Sequence, residues 1–235
     1  MWKIAATLFS ASGFIFTLLI WRTVQGAGLP LRYSWILVVG AVLLVFPVVW
    51  FANRLLGKNP SEDRLLWTTG ILHLVLMVLF GVSVIEAVHL FQFDAGPTIP
   101  VPPAVGLALM AINGFLALLS VANLAISGLG APFAIALSRR LAVGWMYRWT
   151  RNPMVLFTLA TLLSAALYLQ SLWFALWVLL LATPAWIYFL KAYEEKELGL
   201  RFGESYRKYR ASTPFLLPKK LRHSEREFLG PNKQS

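Results

Sequence analysis

Met154–Tyr168 (MVLFTLATLLSAALY) and Leu172–Leu190 (LWFALWVLLLATPAWIYFL) are two apolar runs separated only by Leu169, Gln170 and Ser171. A connection that short permits nothing but a tight helical hairpin. The second run has close to the roughly 20 residues needed to cross about 30 Å of hydrocarbon. The first is shorter, which predicts tilt, local thinning or burial against neighbouring helices. Working outward, further apolar runs cover Ile4 to Trp21, Trp35 to Ala52, about Leu65 to Leu90, and about Pro102 to Ile126, with the Asp94-Ala95-Gly96-Pro97 turn after the third. The sequence therefore predicts an all-α polytopic transmembrane helical bundle of about six spans, with a C-terminal helical hairpin and amphipathic cytoplasmic helices. Five spans result if the first helix is interfacial.

Composition supports a chain dissolved in lipid. Hydrophobic residues make up 58% of the 235 positions and charged residues 13%, where a soluble domain carries roughly a quarter charged. The net charge of +11 is concentrated late, since Arg139 to the C-terminus holds 15 of the 21 Lys and Arg. Basic loops between apolar spans fit anionic lipid headgroups and not nucleic acid, which calls for a basic face on a soluble domain. Without cysteine there is no disulfide, thiolate nucleophile or zinc-thiolate site. His73, His89 and His223 are too scattered to suggest a metal cluster. Lys3 precedes the first run and no small-x-small cleavage site closes it, so that run reads as a retained helix. The positive-inside rule puts Lys3, the Arg54-Lys58-Arg64 loop, the Arg139 to Arg151 stretch and the tail on the cytoplasmic side. The loop at 91–101 and the Gln170 turn, free of Lys and Arg, fall outside, with Arg22 and Arg32 in mild disagreement. Both termini are then cytoplasmic.

Two segments carry chemistry. Asn152 is placed to cap the helix that starts at Pro153, its side chain accepting from a free N–H, and proline suits the first helical position. A helix N-terminus beside Arg148 and Arg151 favours a carboxylate or phosphate, although both arginines also suit plain interfacial anchoring. After the last span, Glu194, Glu195, Glu197 and Glu204 crowd into a chain with ten acids in all. Leu198, Phe202, Tyr206 and Tyr209 recur at helical spacing, and Gly203 is expected to break the run into two helices. This face either lies on the membrane surface or folds back over the bundle to close a pocket with Glu194 or Glu195.

The combination of Tyr147-Arg148-Trp149-Thr150-Arg151-Asn152-Pro153-Met154, a helical hairpin, Glu194-Glu195-x-x-Leu198-x-x-x-Phe202-Gly203-x-x-Tyr206-x-x-Tyr209 and Pro214-x-x-x-Pro218 resembles the isoprenylcysteine carboxyl methyltransferases and their phospholipid methyltransferase relatives. The resemblance spans roughly residues 130–220. It implies methyl transfer from S-adenosyl-L-methionine inside a membrane bundle, with cofactor contacts from Tyr147, Arg151, Asn152, Pro153, Glu194, Leu198, Tyr206 and Tyr209. Glu194, Glu195 and Arg151 become the catalytic candidates, with no metal. The chain departs from the family pattern twice: Asn152 replaces the histidine of Arg-His-Pro, and Phe215 stands where an arginine commonly follows the terminal proline. The implied acceptor is apolar or lipid-like (an isoprenylcysteine carboxylate, a phospholipid or a small thiol), and the departures leave a non-catalytic membrane scaffold or accessory protein that retains the methyltransferase-like fold as an alternative. The expected division is residues 1–129 as N-terminal spans, 130–220 as the methyltransferase-like core and 221–235 as a basic tail. Membrane lipids are the expected partners, and the oligomeric state stays open.

Other polar residues in the spans have plainer expectations. Glu86 and His89 share a helix face near the outer boundary, where a pair at headgroup level is as natural as an internal site. Asn113 suits a helix–helix hydrogen bond. Pro184 should kink the last span and free a carbonyl near Leu180. Trp21, Trp35, Trp67, Trp145, Trp149 and Trp173 fit an aromatic belt.

Overall fold

In the computed structural model the described residues are 13, 15–23, 31–92, 96–127 and 141–218. Most of the first expected span, the Gly130–Arg140 run and the basic tail from Lys219 onward lie outside them. The described elements are α1 (Leu31–Trp35), a π-helical turn (Ile36–Gly40), α2 (Ala41–Leu56), α3 (Glu62–Phe91), α4 (Pro103–Ser127), a 3-10 turn (Trp145–Arg148) and α5 (Pro153–Tyr168). A long rod follows, made of α6 (Leu172–Trp177), a π turn (Val178–Ala182), α7 (Thr183–Phe189), a second π turn (Leu190–Glu194) and α8 (Glu195–Ser212). The all-α expectation holds among the described residues, with an isolated bridge between Thr98 and Ser171.

Of the roughly six expected spans, four qualify among the described residues, and the first lies mostly outside them. Tyr33–Leu56, Glu62–Phe91, Pro103–Ile126 and part of Leu172–Ser212 are long and apolar enough to cross a membrane. The 16-residue α5 is not, because at 1.5 Å per residue it reaches about 24 Å. It packs along α4, so closely that a Cβ on Gly106 would fall onto the backbone of Leu167 and Tyr168. Asn113 crosses the same seam to donate to Ser164 at 3.1 Å, the helix–helix role expected of it.

The α5–α6 hairpin turns at Gln170, whose φ of +53° is unusual for a residue other than glycine. Ile99 N–H donates to the Gln170 carbonyl at 3.0 Å, Leu172 N–H to that of Pro97 at 3.2 Å, and the Gln170 side chain to Val101 at 3.0 Å. Ser171 caps α6 by accepting from Phe174 N–H.

The core is built where α2, α3 and the rod meet, around Val42, Val45, Val49, Leu72, Phe174 and Tyr193. The first π turn widens the backbone so that the Val38 carbonyl accepts from Ser83 at 2.6 Å and from the Trp177 indole at 3.1 Å. Another π turn stands just before Pro184, so the donor that proline lacks is absorbed by a wide turn. Of the two settings open to Glu86 the enclosed one is found, since it is fully buried within the protein, while His89 pairs with Gln92 at 3.2 Å. Trp35, Trp67, Trp145, Trp149 and Trp173 are all exposed near the ends of their segments, as a belt requires.

A straight helix over Leu172–Ser212 would be about 62 Å long, roughly twice the hydrocarbon thickness. Its apolar half ends near Leu190, and the charged half emerges into water. There, Gly203 adopts φ 50°, ψ −122°, a conformation open to glycine, and bends α8 in two. Lys196 ties this half to the end of α2, donating to Asn53 Oδ1 at 2.6 Å and to its carbonyl at 3.1 Å.

Candidate functional site

The two motifs, some 60 residues apart, are stapled into one structure. Arg151 N–H donates to the Pro214 carbonyl at 2.9 Å. Thr150 Oγ1 and Asn152 Nδ2 both donate to the Phe215 carbonyl, at 3.2 and 2.8 Å. This corrects the expected cap: Asn152 occupies the N-cap position of α5, but its side chain accepts no N–H from the first turn. Its amide is drawn to Phe215 instead, and only its carbonyl serves the helix, accepting from Leu156 N–H at 3.0 Å. The Phe215 ring faces Lys191 and Arg151, 5.0 and 5.6 Å from its centroid. A ring with a negative face thus stands beside two cations, where an arginine would add a third.

The bent α8 folds over this platform. Tyr209 donates to the Tyr147 carbonyl at 2.6 Å, and Tyr147, Tyr206, Tyr209 and Ala142 form a small core joined by Leu198 and Phe202. The aromatic stripe therefore closes onto the bundle, the second of the two fates open to it in the sequence. Burial, and then the nearby Glu194, push the Tyr147 phenol above its ordinary range, so it stays neutral.

Beneath the cover is a cavity of about 600 Å³ bounded by α3, α4, α5, α7 and α8, within the range of small-molecule sites. One end is polar, with Tyr147, Arg151, Asn152, Glu194, Glu197, Arg201 and Tyr209. The other is apolar, with Leu76, Met77, Phe80, Val84 and Trp186, the last two rings of which, Phe80 and Trp186, stack at 4.4 Å.

The charges at the polar end are mostly committed. Arg151 Nη1 lies 2.8 Å from Glu195 Oε1, and Arg210 Nη2 lies 3.3 Å from Glu195 Oε2. Arg201 pairs with Glu197 at 2.6 Å, one turn apart. The Arg151–Glu195 contact is a close ion pair without aligned hydrogen-bond geometry, and Arg151 Nε and Nη1 are buried without a hydrogen-bond acceptor. Glu194 faces the cavity beyond the apolar half of the rod. Burial, and then the Glu197 and Glu195 carboxylates, push its pKa up to about 8.

Residues 101–205 match the family model for phospholipid methyltransferases. No curated protein and no solved structure gives a match. The matched segment runs from the start of α4 to the middle of α8, somewhat under half of the chain, and contains Tyr147, Arg151, Asn152, Pro153, Glu194, Glu195 and Leu198. Tyr206 and Tyr209 lie just beyond it, and α3, which supplies most of the apolar wall, lies wholly outside.

Of the residues singled out in the sequence, Tyr147, Arg151, Asn152, Glu194, Leu198 and Tyr209 meet at the cavity. Pro153 is buried at the first turn of α5, Tyr206 is in the cover, and Glu195 is turned toward Arg151 and Arg210. Sequence reasoning did not select Glu197 and Arg201 as site residues. Their i,i+4 spacing on a helix was a legible signal.

Proposed function

We propose that this multi-pass membrane protein transfers a methyl group from S-adenosyl-L-methionine to an apolar acceptor at the cytoplasmic face, with both termini on that side. The observation that carries the reading is the cavity itself: one polar end lined by the matched segment, continuous with an apolar end walled by α3 and α7. Such a shape suits a polar cofactor and a lipid-like acceptor held in one chamber.

The polar end fits the charges of this cofactor. The Glu194 carboxylate, not spent on a salt bridge, suits its ammonium and sulfonium, and the Arg151 N–H groups that lack acceptors suit its carboxylate. When bound, the cofactor supplies an electrophilic methyl group on sulfur. Tyr147, Leu198 and Tyr209 close over it, and Arg151 and Asn152, fixed through Pro214 and Phe215, set its position. Glu195 acts by holding Arg151 in place, which leaves Glu194 as the acid that meets the ligand. Alignment and exclusion of water contribute most of the rate.

The test is incubation of the protein in nanodiscs with methyl-labelled S-adenosylmethionine and a membrane extract. Label should enter the organic-soluble fraction, with at least a tenfold loss for Glu194→Gln. Absence of labelled organic product from folded native protein across acceptor classes would count against turnover and favour a scaffold.

A further inference from the structure

The α3 helix contributes one side chain to the cavity whose chemistry the proposed transfer has not yet used. His73 lines the chamber, and its Nδ1 lies 2.8 Å from the Thr69 carbonyl, one turn earlier. A carbonyl only accepts, so Nδ1 carries the proton and Nε2 keeps its lone pair. Among the described residues no hydrogen bond reaches Nε2, and it is not sealed away as a buried orphan. Phe189 holds the ring edge-on, centroids 5.3 Å apart at 86°. Thr69 is itself anchored by the Tyr193 hydroxyl at 2.8 Å. The ring therefore has a fixed tautomer and a braced orientation, and it presents a base to a chamber whose neighbouring wall is Leu76 and Phe80.

We infer that His73 takes the proton of the methyl acceptor, and that the acceptor is an apolar thiol or phenol rather than a carboxylate; this rests on the methyl-transfer reading above. A carboxylate at that wall would have no proton to give, so the lone pair on Nε2 would meet no donor and the base would have no part in the transfer. A thiol or phenol instead donates to Nε2. The ordinary acidities are matched to within a few units, about 6.5 for imidazole against about 8.5 for a thiol and about 10 for a tyrosine-like phenol. Aliphatic alcohols are far weaker acids and fit poorly.

The step balances in atoms and charge. His73 Nε2 receives the proton as the acceptor's sulfur or oxygen bonds to the methyl carbon, while the carbon–sulfonium bond breaks with both electrons left on the departing sulfur. One positive charge thus moves from a sulfonium to an imidazolium, and the net charge of the chamber is unchanged. That constancy offsets the desolvation cost of charging a buried histidine. The imidazolium returns its proton to water before the next turnover.

The test uses His73→Gln, which keeps a polar side chain and removes the base, in nanodisc-embedded full-length protein. S-adenosylmethionine binding by calorimetry should stay within about threefold of native, since the change is made at the acceptor wall. With an alkyl thiol, kcat should fall by about 10²-fold or more, with KM nearly unchanged. With para-nitrothiophenol, already ionised at neutral pH, the loss should be about tenfold or less. Equal losses with both thiols, or no loss with either, would overturn the role. A second measurement needs neither cofactor nor turnover: para-nitrophenol bound to native protein should show an ionisation by absorbance that differs from that in His73→Gln, and identical spectra would also overturn it. Native protein that methylates a long-chain carboxylic acid in preference to thiols and phenols would overturn the acceptor class. Native protein that binds no S-adenosylmethionine would remove the underlying reading, and the nitrophenol result would still decide whether His73 is a base open to ligand.

Discussion

Removing either partner of the Arg151–Glu195 pair should destabilise the protein, and removing both should cost hardly more than removing one. The two side chains are only 10% and 11% exposed and lie 2.8 Å apart. At an effective dielectric near 20, such a pair attracts by about 4 kcal/mol or more, most of which offsets the desolvation of the two groups. The decisive term is the orphan left by a single change. Breaking a largely buried pair costs about 3–5 kcal/mol, and residual solvent access at this site places the expectation near about 3 kcal/mol. Arg210 adds little, being 57% exposed and 3.3 Å from the same carboxylate. For a chain of this size each kcal/mol moves the midpoint by about 2–4 °C, so Glu195→Ala and Arg151→Ala should each lower it by about 6–12 °C. The double variant should fall in the same range, giving a coupling energy of about 2 kcal/mol or more. Heating in detergent, followed by the fluorescence of the ten tryptophans, measures this without thiol dyes, which a chain lacking cysteine cannot take up. Strictly additive losses would refute the claim that these two side chains form one electrostatic unit.

Two further outcomes follow from other parts of the structure. Gly106→Ala should destabilise the α4–α5 seam by about 1–3 kcal/mol or more, because the added methyl meets the backbone of Leu167 and Tyr168 rather than a side chain that can move; an unchanged midpoint would mean that the helices do not approach as described. Glu194, pushed up to about 8 by burial and by Glu197 and Glu195, is mostly neutral at pH 7 and mostly ionised at pH 9. Its charged form favours a cationic ligand, so affinity for S-adenosylmethionine should rise about tenfold across that window. Calorimetry in buffers of different ionisation heat should show proton release on binding at pH 7, and Glu194→Gln should lose both effects.

The parts of the fold legible in the sequence were those written as local pattern. The hairpin at Leu169–Ser171 and the helices around Trp35–Ala52, Leu65–Leu90 and Pro102–Ile126 follow from apolar length alone, and the Leu198 to Tyr209 stripe from helical spacing. The bend at Gly203 follows from the glycine. What was not legible depended on partners distant in sequence. Asn152 has the residue type and position of a cap, but the Phe215 carbonyl, 63 residues on, competes successfully for its amide. Glu86 sits one turn from the end of an apolar run, and only the packing of neighbouring helices shows that it is enclosed. His73 was visible as an intramembrane histidine, but the tautomer fixed by Thr69 and the cavity before it arise only from the assembled bundle. The α3 wall lies outside the matched segment, so family resemblance carried no information about the apolar end of the chamber.

The most direct test of the central claim is calorimetric titration of S-adenosylmethionine into the full-length protein in lipid nanodiscs, alongside Asn152→Ala and Glu194→Gln. The expected result is micromolar binding to the native protein that weakens about tenfold or more with Glu194→Gln, the loss of a close charge at a partly desolvated site. Folded native protein that takes up neither S-adenosylmethionine nor S-adenosylhomocysteine at millimolar concentration would contradict the methyltransferase assignment of this cavity.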